Sequence, residues 1–316
     1  MAKELTTPAP IAFIALVGPT AVGKSELALR LATHYPVEIV NGDSRQVYRY
    51  MDIGTSKPTM DERAAVPHHV YDVVDPDEGF SLADYRGHAD SAMTAIGERG
   101  HTPLLVGGSG QYVWSLIEGW QLPEVPPDNA FRQEMEEWTE VHGHAALHER
   151  LARIDASAAS RIQATNVRRV IRALELHRAT SMQPSLLLRR RAGASKNVLV
   201  LGLSLDRIAL FGRADARIDT MVRHGFPEEV RALLDKGYAP SLPAMSSIGY
   251  REMVEYVTGA ADLDTTIARI RRETRRLVRR QHTWFRLSDE RIMWLDAQDK
   301  IAAAAVAAGL IEGVMR

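Results

Sequence analysis

Gly18-Pro-Thr-Ala-Val-Gly-Lys-Ser25 decides how this chain reads. Its spacing is a glycine, four residues, then Gly-Lys-Ser, the pattern of a phosphate cradle. Ahead of it runs the apolar, strand-like stretch Ile11-Ala-Phe-Ile-Ala-Leu-Val17. Behind it Glu26-Leu-Ala-Leu-Arg-Leu-Ala32 has helical spacing. Strand, glycine loop and helix in that order turn backbone N–H groups and a helix N-terminus toward an anion. Lys24 can then bridge phosphate oxygens, and the Ser25 hydroxyl can hold a Mg²⁺ ion that shares them. The candidate cradle for a diphosphate is therefore Gly18, Pro19, Thr20, Ala21, Val22, Gly23, Lys24 and Ser25. Whether that diphosphate belongs to a nucleotide is left open by the loop itself.

The 316 residues suffice for one large or two moderate domains. A composition of 45% hydrophobic and 25% charged residues is that of a globular protein in water. With no cysteine, disulfides, thiolate zinc sites and cysteine nucleophiles are excluded. No stretch approaches the roughly 20 apolar residues of a membrane span. Met1 to Pro10, with Lys3 and Glu4, does not read as a signal peptide, so a cytoplasmic address is expected. The net charge of −1 hides an uneven distribution: arginines gather in 161–191 and 269–286, and 128–140 is acidic.

Val37-Glu-Ile-Val40 reads as a second strand, ending in the polar Asn41-Gly-Asp-Ser-Arg-Gln-Val-Tyr48. Parallel α/β sheets place ligands at such strand ends, which makes Asp43 and Ser44 site candidates. The alternative for Asp43 is a cap on a following helix. In the loop Met51-Asp-Ile-Gly-Thr-Ser-Lys-Pro58, Thr55 and Lys57 can reach a phosphate, with plain solvation the alternative for Lys57. His68 to Val74 reads as a third strand, on which the adjacent His68 and His69 face opposite ways and serve structure rather than a metal. A helix is expected over 80–96, opened by Ser81. Pro103 to Gly110 is a buried strand running into Gly107 and Gly108, where a nucleotide hydrolase would place an acid for its Mg²⁺ shell. Those glycines imply close backbone approach to a ligand, or a tight turn.

Composition changes at Leu122-Pro-Glu-Val-Pro-Pro127, and from Asp128 to about Thr180 the text is helical, charged and strand-free. This predicts an inserted helical module. Within it, Val170, Leu174 and His177 share one helix face, while Arg168, Arg169 and Arg172 lie off that seam and offer themselves to phosphate. A basic linker is expected over 185–196, and the strand at Val198 to Leu203 resumes the sheet. Helices are expected over 213–221 and 227–235, and Ser246 to Arg251 reads as a loop into another helix. Ile267, Ile270, Thr274, Leu277, Gln281 and Trp284 then make a helical stripe. Between them lie Arg271, Arg272, Arg275, Arg276, Arg279 and Arg280, against Glu273 alone. That repulsion calls for a nucleic-acid backbone, or for acidic neighbours elsewhere in the fold.

Taken together, several segments resemble one family, the tRNA dimethylallyltransferases. The resemblance rests on the loop at 18–25, on Asp43-Ser-Arg-Gln-Val-Tyr48 followed by Met51 to Pro58, and on Val106-Gly-Gly-Ser-Gly110. It continues through Arg172-Ala-Leu-Glu175, Gly225-Phe226, Glu229-Val-Arg231, Ile248-Gly-Tyr-Arg251 and Gln281-His-Thr-Trp284, in order along nearly the whole chain. The run from Asp43 to Pro58 is far more specific than the phosphate loop. The resemblance implies transfer of a dimethylallyl group from its diphosphate to the N6 amine of the adenosine 3′ to a tRNA anticodon, with Mg²⁺ assisting. It makes Asp43 the catalytic base, Ser25 a catalytic residue through the metal, and Arg217 the arginine on the diphosphate, with Arg213 close by. It also implies tRNA contacts from Asp43, Ser44, Arg45, Gln46, Ser109, Arg132 and the stretch Arg168, Arg169, Val170, Ile171, Arg172. Ser25 and Ser109 stand where many members have Thr, which keeps the hydroxyl.

The expected architecture is α/β: a P-loop NTPase-like parallel-sheet core over residues 1–120 and 197–316, with an inserted all-helical domain over 121–196 that contacts tRNA. A monomer working on the anticodon stem-loop, away from membranes, is expected. Competing readings are an adenylate isopentenyltransferase acting on free AMP, a small-molecule P-loop kinase, and a non-catalytic RNA-binding protein whose loop senses a nucleotide.

Overall fold

The computed structural model describes residues 11–120, 123, 125–187 and 197–315. The N-terminal ten residues and most of the basic linker lie outside the described residues, as do positions 121, 122 and 124 at the proline-rich junction. The first part of the chain forms β1 (Phe13–Val17), α1 (Lys24–Ala32), β2 (Val37–Asn41), α2 (Met60–Ala65), β3 (His68–His69), α3 (Leu82–Glu98), β4 (Thr102–Gly107) and α4 (Gly110–Ile117). Four helices follow: α5 (Asn129–Ile154), α6 (Ala156–Arg161), α7 (Val167–Thr180) and α8 (Pro184–Leu187). The last part forms β5 (Val198–Ser204), α9 (Arg207–Arg223), α10 (Phe226–Asp235), α11 (Tyr250–Val257), α12 (Leu263–Trp284), β6 (Met293–Asp296) and α13 (Lys300–Met315). The described residues fall into two compact units, one within Met1–Ile117 and Ser195–Arg316, the other within Glu118–Ala194. Among them no helix is long and apolar enough to cross a membrane.

In the larger unit the six strands lie in the order β3-β2-β4-β1-β5-β6, all parallel. Phe13-Ile-Ala-Leu-Val17 is buried along its whole length between β4 and β5, which is why it is apolar without alternation. Because every strand points the same way, the turns after β1, β2, β4 and β5 share one edge. β3 is shorter than the sequence predicts. Val70 and Asp72 take left-handed backbone, with φ of 65° and 54°, and a strand does not continue through that region. Sequence reasoning passed over β6 and α13. The latter buries Ala303, Ala307 and Ile311 in the same core as Leu27 and Leu31 of α1, but its alanine-rich text carries little periodicity.

At the opposite edge of the sheet, Glu38 is 2% exposed and held by four hydrogen bonds. Arg99 donates to both carboxylate oxygens, at 3.0 and 2.6 Å, and His69 and His101 lie 2.6 and 2.8 Å away. Arg99 above all, then the two histidines, hold the Glu38 carboxyl down at about 2 against the cost of burial. His68 faces the Val66 carbonyl instead. The histidine pair is therefore structural, and among the described residues no cluster of acids and histidines has the makings of a metal site.

The smaller unit is wholly helical where described. Phe131, Met135, Leu147, Leu151, Val170, Ile171 and Leu174 form its core. α5 bends at Gly143, whose φ of 83° interrupts the helix. Asp155 caps α6 through the Ala158 N–H at 2.9 Å and accepts the Ser185 N–H at 2.7 Å. Ser181 ends α7 in the left-handed conformation, with φ of 56°, doing without the glycine often used at such a position.

Candidate active site

The loop between β1 and α1 is bent by Gly18, Ala21 and Gly23, all at positive φ. At Gly18 a Cβ would lie 2.6 Å from the Leu203 carbonyl oxygen, so only glycine lets β1 turn there beside β5. α1 has no side-chain cap, and the amides of Gly23, Lys24 and Ser25 carry no hydrogen bond in the turn. Unclaimed N–H groups at a helix N-terminus are what an anion needs. Lys24 reaches back under the loop and donates to the carbonyls of Gly18 and Pro19, at 2.9 and 2.7 Å. Burial lowers its pKa to about 8, Asp43 opposes that shift and Arg217 adds to it. The exposed Ser25 hydroxyl makes no hydrogen bond to a described residue.

Asp43 follows β2 on the same edge. Buried Asn41 accepts the Asp43 N–H at 2.7 Å and donates to the Asp43 carbonyl at 2.9 Å, and Tyr85 donates to the Asn41 carbonyl at 2.8 Å. Asp43 Oδ1 accepts the Arg45 N–H at 2.9 Å, closing a turn, and no helix follows for it to cap. The other carboxylate oxygen makes no hydrogen bond to a described residue. Arg217, from α9, is partly buried; burial lowers its pKa and Asp43 raises it. Lys24, Asp43 and Arg217 thus sit within one another's electrostatic reach. Arg213, one turn earlier, is spent on the Ala297 carbonyl at 3.1 Å, which favours Arg217 as the arginine of the site.

The strand end after β4 explains its own missing acid. A Cβ at Gly107 would overlap the Gly42 carbonyl, so the two turns touch backbone to backbone and no side chain fits. The close approach expected at Gly107 and Gly108 is thus to Gly42 and to Gln281, both parts of the protein. Ser109 donates its N–H to the Gly42 carbonyl at 3.1 Å, and its hydroxyl accepts the Ser44 N–H at 2.9 Å and lies 3.2 Å from the Ser44 hydroxyl. Ser44 and Ser109 therefore lock the β2 and β4 turns together. Gln46 donates to the carbonyls of Thr55 and Ser56, both at 3.0 Å. Arg45 is exposed, with one long contact to the Pro243 carbonyl at 3.4 Å.

Neither reading of Thr55 and Lys57 survives. Thr55 donates to the Met51 carbonyl at 2.6 Å, and buried Lys57 sits between Asp52 and Asp72 at 2.7 and 2.5 Å. Their task is to shape the loop.

Gln281 is the residue that sequence reasoning undervalued. Lying on the apolar stripe of α12 and 7% exposed, it accepts the Thr20 N–H at 2.8 Å and donates to the Gly108 carbonyl at 3.1 Å. It fastens the phosphate loop to the β4 turn; a polar residue on an apolar stripe was the available signal. Gln281→Met fills the space but orphans both groups. We expect a loss of about 2 kcal/mol of stability, read from urea unfolding.

In the helical unit, Arg168 and Arg169 are exposed and make no ion pair with a described residue, whereas Val170 and Ile171 are 0% and 2% exposed. As core residues these two have no side chain to offer RNA, which corrects their assignment. Arg132 and Arg172 differ again from expectation. Both grip Glu175, itself 2% exposed: Arg132 through two hydrogen bonds of 2.9 Å, Arg172 through Nη1, with Nη2 on the Val125 carbonyl at 2.9 Å. On α12, Arg271 and Arg275 pair with Asp219 and Asp215 of α9, and Arg272 and Arg276 share Glu273. Three carboxylates thus face four of the six arginines; Arg279 and Arg280 stay exposed without one among the described residues.

The profile described as IPP transferase matches residues 46–288. The chain belongs to the IPP transferase family. A tRNA dimethylallyltransferase of Chloroflexus aurantiacus is 50% identical over 281 residues, covering 89% of this chain and 95% of that one. One from Dehalococcoides mccartyi is 40% identical over 306 residues, covering 96% and 94%. Among solved structures, a full-length tRNA isopentenylpyrophosphate transferase from Bacillus halodurans superposes with a TM-score of 0.71 at 39% identity over 96% of each chain. A eukaryotic dimethylallyltransferase described as acting on tRNA gives 0.78 at 26% identity, over 95% of this chain and 79% of its own. The chain therefore shares its fold with these relatives and spans nearly the whole length of the bacterial ones.

Proposed function

We propose that this enzyme transfers the dimethylallyl group of dimethylallyl diphosphate to the N6 amine of the adenosine 3′ to the anticodon of a tRNA. The observation that carries the reading is the convergence of Asp43, Lys24 and Arg217 beside a phosphate loop whose Gly23, Lys24 and Ser25 amides bond to no described residue. The N6 lone pair is delocalised into the adenine ring, so the amine is a poor nucleophile. Asp43, with one oxygen unbonded, takes the N6 proton as the new N–C bond forms. The allylic C–O bond breaks and its electron pair leaves with the diphosphate. Lys24, the amides of Gly23 to Ser25 and Arg217 hold the charge that builds there.

The metal fits in one way. With no acidic cluster among the described residues to cage it, Mg²⁺ would rest on the Ser25 hydroxyl and the diphosphate's own oxygens, a mode usual for this ion. Bound there, it supplies further charge stabilisation to the leaving group. On the RNA side, Arg45, Arg168, Arg169, Arg279 and Arg280 are exposed cations for the backbone, and the target base must leave its stack to meet Asp43. We also infer a monomer working in the cytoplasm.

The test is incubation of purified protein, Mg²⁺ and radiolabelled dimethylallyl diphosphate with unmodified tRNA or with AMP. Label entering tRNA alone is expected. Label entering AMP would shift the reading to an adenylate isopentenyltransferase, and label in neither would sink it.

A further inference from the structure

We propose that Ser56 is a positioning residue for this reaction, its hydroxyl setting the Arg217 guanidinium toward the departing diphosphate. The inference rests on the proposed function. Arg217 Nε donates to Ser56 Oγ at 2.6 Å, and the two terminal nitrogens make no hydrogen bond to a described residue. A guanidinium is planar, so a bond at Nε fixes the direction in which its outer N–H groups point. With Nε on Ser56, Arg217 makes no ion pair with Asp43, whose charge attracts it; such a pair would occupy the base.

Ser56 is itself held firmly. Its φ of 52° is left-handed, its N–H donates to the Ile53 carbonyl at 3.0 Å, and its carbonyl accepts from Gln46. Upstream, the amides of Asp52, Ile53 and Gly54 all donate to Glu229, at 2.8, 2.6 and 3.1 Å, and Tyr250 donates to the same carboxylate at 2.6 Å. The hydroxyl that meets Arg217 therefore belongs to a loop tied down at both ends.

Ser56→Ala removes the hydroxyl, and Ser56→Gly removes it while relaxing the left-handed backbone. Both should raise KM for dimethylallyl diphosphate roughly tenfold, the loss of one hydrogen bond at a charged group. KM for tRNA and the melting temperature should stay unchanged. If Ser56 acts through Arg217, Ser56→Ala adds nothing to Arg217→Lys in a double-mutant cycle. Wild-type KM in Ser56→Gly, or effects that multiply in the cycle, would overturn the proposal while leaving the function intact. A wild-type protein that labels no tRNA would overturn both.

Discussion

Asp43→Asn lowers the rate of dimethylallyl transfer to tRNA by about 10²- to 10⁴-fold, the range for removing a positioned general base. The amide keeps an oxygen for the Arg45 N–H, so the turn that presents position 43 survives and the loss is chemical. Asp43→Ala removes that hydrogen bond as well and should be at least as slow. Binding of dimethylallyl diphosphate should change only a few-fold in Asp43→Asn, measured by titration calorimetry without RNA. Single-turnover rates within tenfold of wild type would mean that another group takes the N6 proton.

Lys24→Met lowers kcat by roughly 10²- to 10³-fold, as expected when one preorganised charge on a leaving group is removed. The wild-type enzyme also acquires a pH signature. Free Lys24 is protonated below its pKa of about 8 and binds diphosphate as it stands. Above that pH a proton must be taken up on binding, so affinity weakens by up to about tenfold per pH unit. In Lys24→Met this weakening should vanish. The stability linkage has its own sign. Burial lowers the pKa from 10.5, so the folded state binds fewer protons between about 8 and 10.5. The penalty of burying the charge is complete below pH 8 and eases as pH rises through that window.

Much of this site was legible in the chain's text because its chemistry is local. Gly18, Gly23, Lys24 and Ser25 act within one turn of backbone, and spacing alone specifies them. Asp43 was visible as a polar residue at a strand end, although only the fold shows that Asn41 and Tyr85 brace it. What stayed hidden was long-range pairing. Gln281 meets Thr20 across 261 positions, and Glu229 meets the 52–54 loop across about 175, distances over which no periodicity speaks. The same limit governed the arginines. From the sequence, Arg132 and Arg172 look like hands held out to RNA, but each is closed on Glu175, a residue whose burial no local pattern announces.

Those closed hands bear on how ionic strength governs RNA affinity. A cation that already faces a carboxylate adds little net charge to a complex, and so displaces few of the counterions condensed on a nucleic acid. Arg271 on Asp219 and Arg275 on Asp215 are in that position, while Arg132 and Arg172 share Glu175, and Arg272 and Arg276 share Glu273, so each of these two trios keeps one net positive charge. The exponent relating dissociation constant to salt concentration should then follow the uncompensated charges, chiefly Arg45, Arg168, Arg169, Arg279 and Arg280, with one more from each shared carboxylate. An arginine-rich enzyme built this way can release one tRNA and take the next without being held by electrostatics alone.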